Sequence, residues 1–210
     1  MKHTAMLMAL GATALTAPTA IAQTVSLTVV QSGSANTVAT DQTRAAASSI
    51  AIEQAGISNS LSITQAGSRN SIEARQTGSL GSGNVTQSGT GNRITQSDRG
   101  RLDRFTADQS GDLSMLRLEQ SGEDNSAILY QGGLTQAASL TQLGVGNHAS
   151  LAQTGRENAA DVSQRGNGNL SDISQSGGAN SITHSQTGND LRLTLSQTGG
   201  QTMIITQTGP

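Results

Sequence analysis

The tripeptide Gln-x-Gly recurs fifteen times along this chain, almost always eleven residues apart. Its glutamines are Gln31, Gln54, Gln65, Gln76, Gln87, Gln109, Gln120, Gln131, Gln142, Gln153, Gln164, Gln175, Gln186, Gln197 and Gln207. Every step from Gln54 to Gln87 is eleven, and the spacing then holds through nine consecutive copies from Gln109 to Gln197. The departures are local. The step from Gln31 to Gln54 is 23, with Gln42 as a weak copy. The gap from Gln87 to Gln109 is 22, with Asp98 in the Gln place, and the last step is ten. A fixed period over this much chain is the mark of a repeat architecture, in which one small unit stacks on the next.

Within each unit the residues before the Gln alternate. Two positions before it stand Val29, Ile52, Ile63, Val85, Leu118, Leu140 and Ile173, with His184 a polar exception and Gln96 preceding Asp98. Four positions before it stand Leu27, Ile50, Leu61, Ile72, Phe105, Leu116 and Leu193, with Gly83 and Ser171 as exceptions. The positions between are mostly polar, as in Ser62 and Thr64. A period of two describes a half-buried strand, with two apolar residues and the Gln on its inner face. After the Gln the chain reads as a turn. Five positions on stands Asn36, Asn59, Asn70, Asn92, Asn125, Asn147, Asn158, Asn169 or Asn180, and Gly and Asn are the residues that best tolerate positive φ.

One such unit cannot bury its apolar face, but two back to back can. The expected fold is therefore all-β: a two-sided β-solenoid with 22-residue rungs of two half-repeats, stacked about 4.8 Å apart. Residue i should lie over residue i+22, so that Gln65, Gln87, Gln109 and Gln131 form one ladder and Gln120, Gln142, Gln164 and Gln186 another. Inward amides are costly unless paired, and a ladder pairs each with the copies above and below. Eight to nine rungs make a rod on the order of 40 Å long. Degenerate half-repeats fall near 36–49 and 94–108; the stretch Ser97 to Arg104 is either a bulged loop or a charged gatekeeper against aggregation.

Composition taken alone reads as disorder rather than as a globule. Phe105 and Tyr130 are the only aromatics, and cysteine is absent. Residues 1–22 read as a secretory signal: a polar start at Lys2, an apolar run, Pro18, then Ala20-Ile21-Ala22 before the cut. Removing them leaves residues 23–210 with eleven arginines against fourteen acids, a net charge of −3 that favours no nucleic-acid partner.

The pattern apolar-x-apolar-x-Gln-x-Gly-x-x-Asn, as in Leu61-Ser62-Ile63-Thr64-Gln65-Ala66-Gly67-Ser68-Arg69-Asn70, resembles the curlin repeat of curli subunits, and the resemblance covers nearly all of residues 25–209. It implies a secreted subunit that passes through the periplasm and polymerises into extracellular amyloid fibres for adhesion and biofilm matrix. It also implies self-association, other curli-like subunits and an outer-membrane export apparatus as partners. The chain departs from curli major subunits in three ways: no Gly-rich segment precedes the first strand, the usual aromatics are missing, and residues 97–104 are strongly charged.

Other chemistry finds little purchase. His148 and His184 stand alone, without Cys or a carboxylate pair at ligand spacing, so no metal is expected. No nucleophile–base–acid set or phosphate loop is legible, so neither catalysis, a cofactor nor a small-molecule substrate is expected. Glu123, Asp124 and Glu157 fall in expected turns as solvated charges. Two alternatives to a fibre subunit remain: a soluble capped solenoid adhesin, and an ice-binding solenoid. Glu53, Glu73, Arg75, Asp108, Glu119 and Tyr130 interrupt the outer Thr and Ser array that ice binding would need. The first strand beginning near Val25 and the Gly209-Pro210 terminus suggest uncapped ends able to template further strands.

Overall fold

The computed structural model describes residues 24–209 together with the backbones of two short segments, Leu7–Met8 and Thr13–Thr16. The export signal expected over 1–22 otherwise lies outside the described residues. The two segments run parallel to Ser26–Ser34 and Thr37–Asp41.

Every strand among the described residues belongs to one of two parallel sheets, and no helix occurs among them. Apart from the short pieces Ala45–Ala46 and Gly67–Ser68, which continue the sheet of the strand before them, successive strands alternate between the sheets, so each sheet collects every second half-repeat. The stacking is in register at one rung: Leu140 pairs with Val162, Gln142 with Gln164 and Gly144 with Gly166. Where the sequence step is 23 or ten, the register absorbs it. Gln31 still lies beside Gln54, and Gln186 beside Gln207. The extra residue of the longer step is taken up between Asp41 and Ala45, where Arg44 has positive φ. The fold is thus a β-solenoid of parallel 22-residue rungs.

The core is the seam between the sheets. Ile50, Leu61, Ile63, Ile72, Leu116, Leu118, Leu129 and Leu140 are essentially inaccessible. Their even spacing on each strand puts them all on the inner face. Charges on the outer face pair mostly across one rung or within a strand, as Arg75 with Glu53 and Arg117 with Glu119. Being half exposed, such pairs contribute ~0–1 kcal/mol each.

Three local expectations are corrected. The turn does not begin at Gln-x-Gly. Strands such as Ser71–Ser79 run three residues past the Gln, and the reversal is confined to the next two residues. The left-handed residue of that reversal is not the Asn but the one before it: Ser58, Arg69, Asp124, Glu157 and Ala179 have φ of 55–58°. That residue is held there by its stacked N–H, as when Leu80 donates to Ile57 O at 2.9 Å and Leu102 to Ser79 O at 3.0 Å. Finally, the charged stretch is not a bulged loop. Arg93–Arg101 is a full-length strand in register with Met115–Glu123.

Candidate functional site: the interior polar ladders

Each repeat contributes two inward polar side chains, the Gln near the middle of the strand and the Asn at the turn. Both are buried along most of the rod: Gln54, Gln65, Gln76, Gln87, Gln109, Gln142, Gln153, Gln164, Gln175, Gln186 and Gln197 are 0% exposed, and Gln31, Gln120 and Gln131 at most 8%. Gln207, on the last strand, is half-buried.

The Gln amides form two columns, one per sheet. Gln142 shows the unit. Its Oε1 accepts from Gln120 Nε2 at 2.9 Å, and its Nε2 donates to Gln164 Oε1 at 2.9 Å and to Ser126 O on the facing sheet at 3.0 Å. All the donors point the same way along the chain, from Gln65 to Gln87 to Gln109 to Gln131 to Gln153 to Gln175 to Gln197 in one column. In the other, Gln31 donates to Gln54, Gln54 to Gln76, and Gln186 to Gln207. The weak copy Gln42 heads the first column by donating to Gln65 at 3.0 Å. Away from the column ends and from Asp98, an amide such as Gln142 spends both hydrogens and a lone pair inside the core, which removes the penalty for burying it.

The Asn positions form a second pair of columns along the solenoid edges. Asn36, Asn59, Asn70, Asn92, Asn125, Asn147, Asn158, Asn169 and Asn180 are all buried. Asn70 Nδ2 donates to Ala66 O at 2.7 Å and to Gly89 O at 2.9 Å, and its Oδ1 accepts from Asn92 N at 3.0 Å. The Asn therefore ties the corner of its own turn to the next rung. Ser48, Ser114 and Gln136 occupy the same column, and sequence reasoning missed them because they are not Asn. Ser114 Oγ accepts from Gln136 N, and Gln136 Nε2 bonds Gly155 O.

The Gly of Gln-x-Gly has a stricter reason than turn chemistry. A Cβ on Gly144 would sit 1.9 Å from Gly166 O, and one on Gly111 would sit 1.8 Å from Gly133 O. The backbones stack so closely at this corner that only Gly fits, and φ there is also positive, 126° at Gly144.

Residues 122–155, 137–166, 155–183 and 166–199 each match the curlin-associated repeat. Residues 122–199 are thus curlin-associated repeats. No curated protein sequence matches it. The rungs outside the matched span carry the same curlin geometry: Gln54, Asn59 and Gly56 make the contacts that Gln142, Asn147 and Gly144 make.

The exceptions to the curlin pattern are of two kinds. Some compensate one another. The ring of Phe105 fills the space over Gly83, where a Cβ would lie 2.1 Å from the ring. His184 and Ser171, both polar in apolar slots, meet across the core with Nδ1 3.0 Å from Oγ. Burial holds the His184 imidazole below its ordinary pKa, hence neutral. The other kind is concentrated in one place. Seven of the nine buried side-chain atoms without a partner among the described residues belong to Gln76, Gln96, Ser97, Asp98, Asp103 and Gln120. Asp98 is one methylene too short to join Gln76 to Gln120, and Gln96 puts an amide where the neighbouring rungs have Ala74 and Leu118.

Proposed function

We propose that this curlin-repeat chain is a secreted structural subunit that polymerises into curli-like fibres of the cell surface and biofilm matrix. The observation that carries this reading is the one-way polarity of the amide ladders. Apart from the rung that carries Asp98, each rung offers the next the same Nε2 donors, Oε1 acceptors and strand edge that it received from the rung before. A stack built this way has no intrinsic length, and a rung from another copy meets the same contacts as a rung from the same chain. Adhesion, export through an outer-membrane apparatus and association with other curli-like subunits belong to the same proposal, on the strength of the repeat family.

The test is to follow the purified, signal-free chain by thioflavin fluorescence, electron microscopy and fibre diffraction. The expected result is unbranched fibres that form after a lag abolished by preformed seeds, with a meridional reflection near ~4.7 Å. A chain that stays monomeric at high concentration, seeded and unseeded alike, overturns the fibre reading in favour of a soluble solenoid adhesin.

A further inference from the structure

Asp98 and Asp103 are the only carboxylates buried in the described rungs, at 2% and 0% exposure. They lie within hydrogen-bonding reach of each other. Three correlated departures from the repeat create this contact. Asp98 stands in a Gln column, Asp103 in an Asn column, and Gly81 in the same Asn column one rung earlier. Because Gly81 has no side chain, Asp98 occupies the space such a side chain would need: a Cβ on Gly81 would lie 2.8 Å from Asp98 Oδ2. Random decay of one repeat would not be expected to open room for the carboxylate in the rung before it.

The two carboxyls are not equivalent. Asp103 Oδ1 accepts from Asn125 N at 2.7 Å and from Asn125 Nδ2 at 3.2 Å, contacts that favour the charged form. Asp98 Oδ1 and Asp103 Oδ2 have no partner, as two acceptor-only groups facing each other cannot pair. One proton placed on Asp98 supplies the missing donor. No cation faces the pair from inside. On the same strand Arg99 is exposed, and Arg101 pairs outward with Glu123. On the preceding strand of the sheet Arg75 pairs with Glu53. On the following one Glu119 pairs with Arg117. Across the core, Arg104 pairs with Asp124, Asp112 accepts from Thr90 N, and Asp108 lies on the outer face; the other facing strand, Ser82–Thr90, carries no charge.

We propose that the Asp98–Asp103 pair is a proton-operated latch: the solenoid closes across this rung only while the pair holds one proton, so acidification zips the two halves into one stack. Burial, then the neighbouring Asp103 charge, push Asp98 up to about 7. The sign follows. A carboxyl with a raised folded-state pKa binds more protons folded than unfolded, so closure is favoured at low pH. It weakens as pH rises from the ordinary carboxylate value, and levels off above about 7. Closure of the rung should change by up to about tenfold per pH unit in that window. The consequence for assembly rests on the fibre reading; the latch itself does not.

The test is hydrogen exchange with mass spectrometry on the folded chain, monomeric or polymerised, from pH 4.5 to 8.5 after correction for intrinsic exchange. Protection of Arg93–Asp103 is referred to Ala137–Val145, a strand with no titratable group. The expected result is a ratio that falls to pH 7 and is then flat. The fall should be markedly shallower in Asp98→Asn and Asp98→Gln, where only Asp103, itself raised by burial, still titrates, the latter variant able to rebuild the amide column should the former fail to fold. A wild-type ratio independent of pH, or an unchanged slope in Asp98→Gln, overturns the latch. In parallel, assembly lag times should lengthen with pH in the wild type and markedly less in Asp98→Gln. Absence of fibres at every pH overturns the fibre reading and leaves the exchange result to judge the latch.

Discussion

Replacing Gln142 by Leu isolates what one ladder amide contributes. Leu matches Gln in size closely enough that packing changes little, so the loss is almost purely polar. Three hydrogen bonds disappear: from Gln120, to Gln164 and to Ser126 O. The orphaned groups are not equal. Gln120 Nε2 keeps its second bond, to Arg104 O at 3.2 Å, so it loses one of two. Gln164 Oε1 loses its donor in a residue that is 0% exposed, with no route to water. Unpaired buried groups cost ~1–3 kcal/mol each, and the extra buried apolar surface of Leu returns about 1 kcal/mol. The net loss should be ~2–4 kcal/mol, felt mainly in the two flanking rungs. Thr141→Ala, one residue away on the outer face, should cost less than ~0.5 kcal/mol. Local opening free energies from hydrogen exchange of Met115–Glu123 and Ala159–Asn167 measure both variants in the same experiment. Equal effects of the two substitutions would refute the idea that the amide columns, rather than the apolar seam alone, hold the rungs together.

Two glycines two residues apart in sequence make a sharper contrast: Gly144→Ala should abolish closure of its rung or cost more than ~3 kcal/mol, because its Cβ would meet Gly166 O at 1.9 Å, whereas Gly146→Ala meets nothing within 4 Å and should cost only ~1–2 kcal/mol for its positive φ, as read from denaturant midpoints. Phe105→Ala should lose ~3–5 kcal/mol by emptying the space over Gly83, and Gly83→Leu, which alone clashes with the ring, should restore part of that loss in the double variant, giving a favourable coupling energy. His184 titrates in the opposite sense to Asp98. Its folded-state pKa is depressed by burial, so stability around Ser171 and His184 is complete above the ordinary imidazole value and is lost as pH falls below it; His184→Gln should remove that acid sensitivity, measured by exchange of Ser181–Thr187.

The eleven-residue period and the two-residue alternation are properties of the chain itself, and they determine most of the architecture. A strand with Leu61, Ile63 and Gln65 on one face must bury that face, and identical faces every eleven residues stack most simply one rung apart. The pairing of Gln65 with Gln87 follows from that arithmetic alone. Other features were out of reach because they depend on how the sheets and corners face each other, which no period sets. The Gly of Gln-x-Gly looks like a turn residue until the next rung's carbonyl is seen against its Cα. The Asn looks like the left-handed residue until its side chain is found folded inward onto Ala66 O and Gly89 O, with Arg69 taking the positive φ instead. Gly83, Ser171 and His184 look like decay until Phe105 covers the first and the other two meet across the core. The charged run from Ser97 to Arg104 reads as a loop because its alternation is obscured. Up to Arg101 it remains a strand because rungs on both sides supply ready-made partners for its backbone, and its arginines stay outside. The meeting of Asp98 with Asp103 was decided only in three dimensions, since it needs the side chain missing at Gly81, seventeen residues earlier in the chain and one rung away in space.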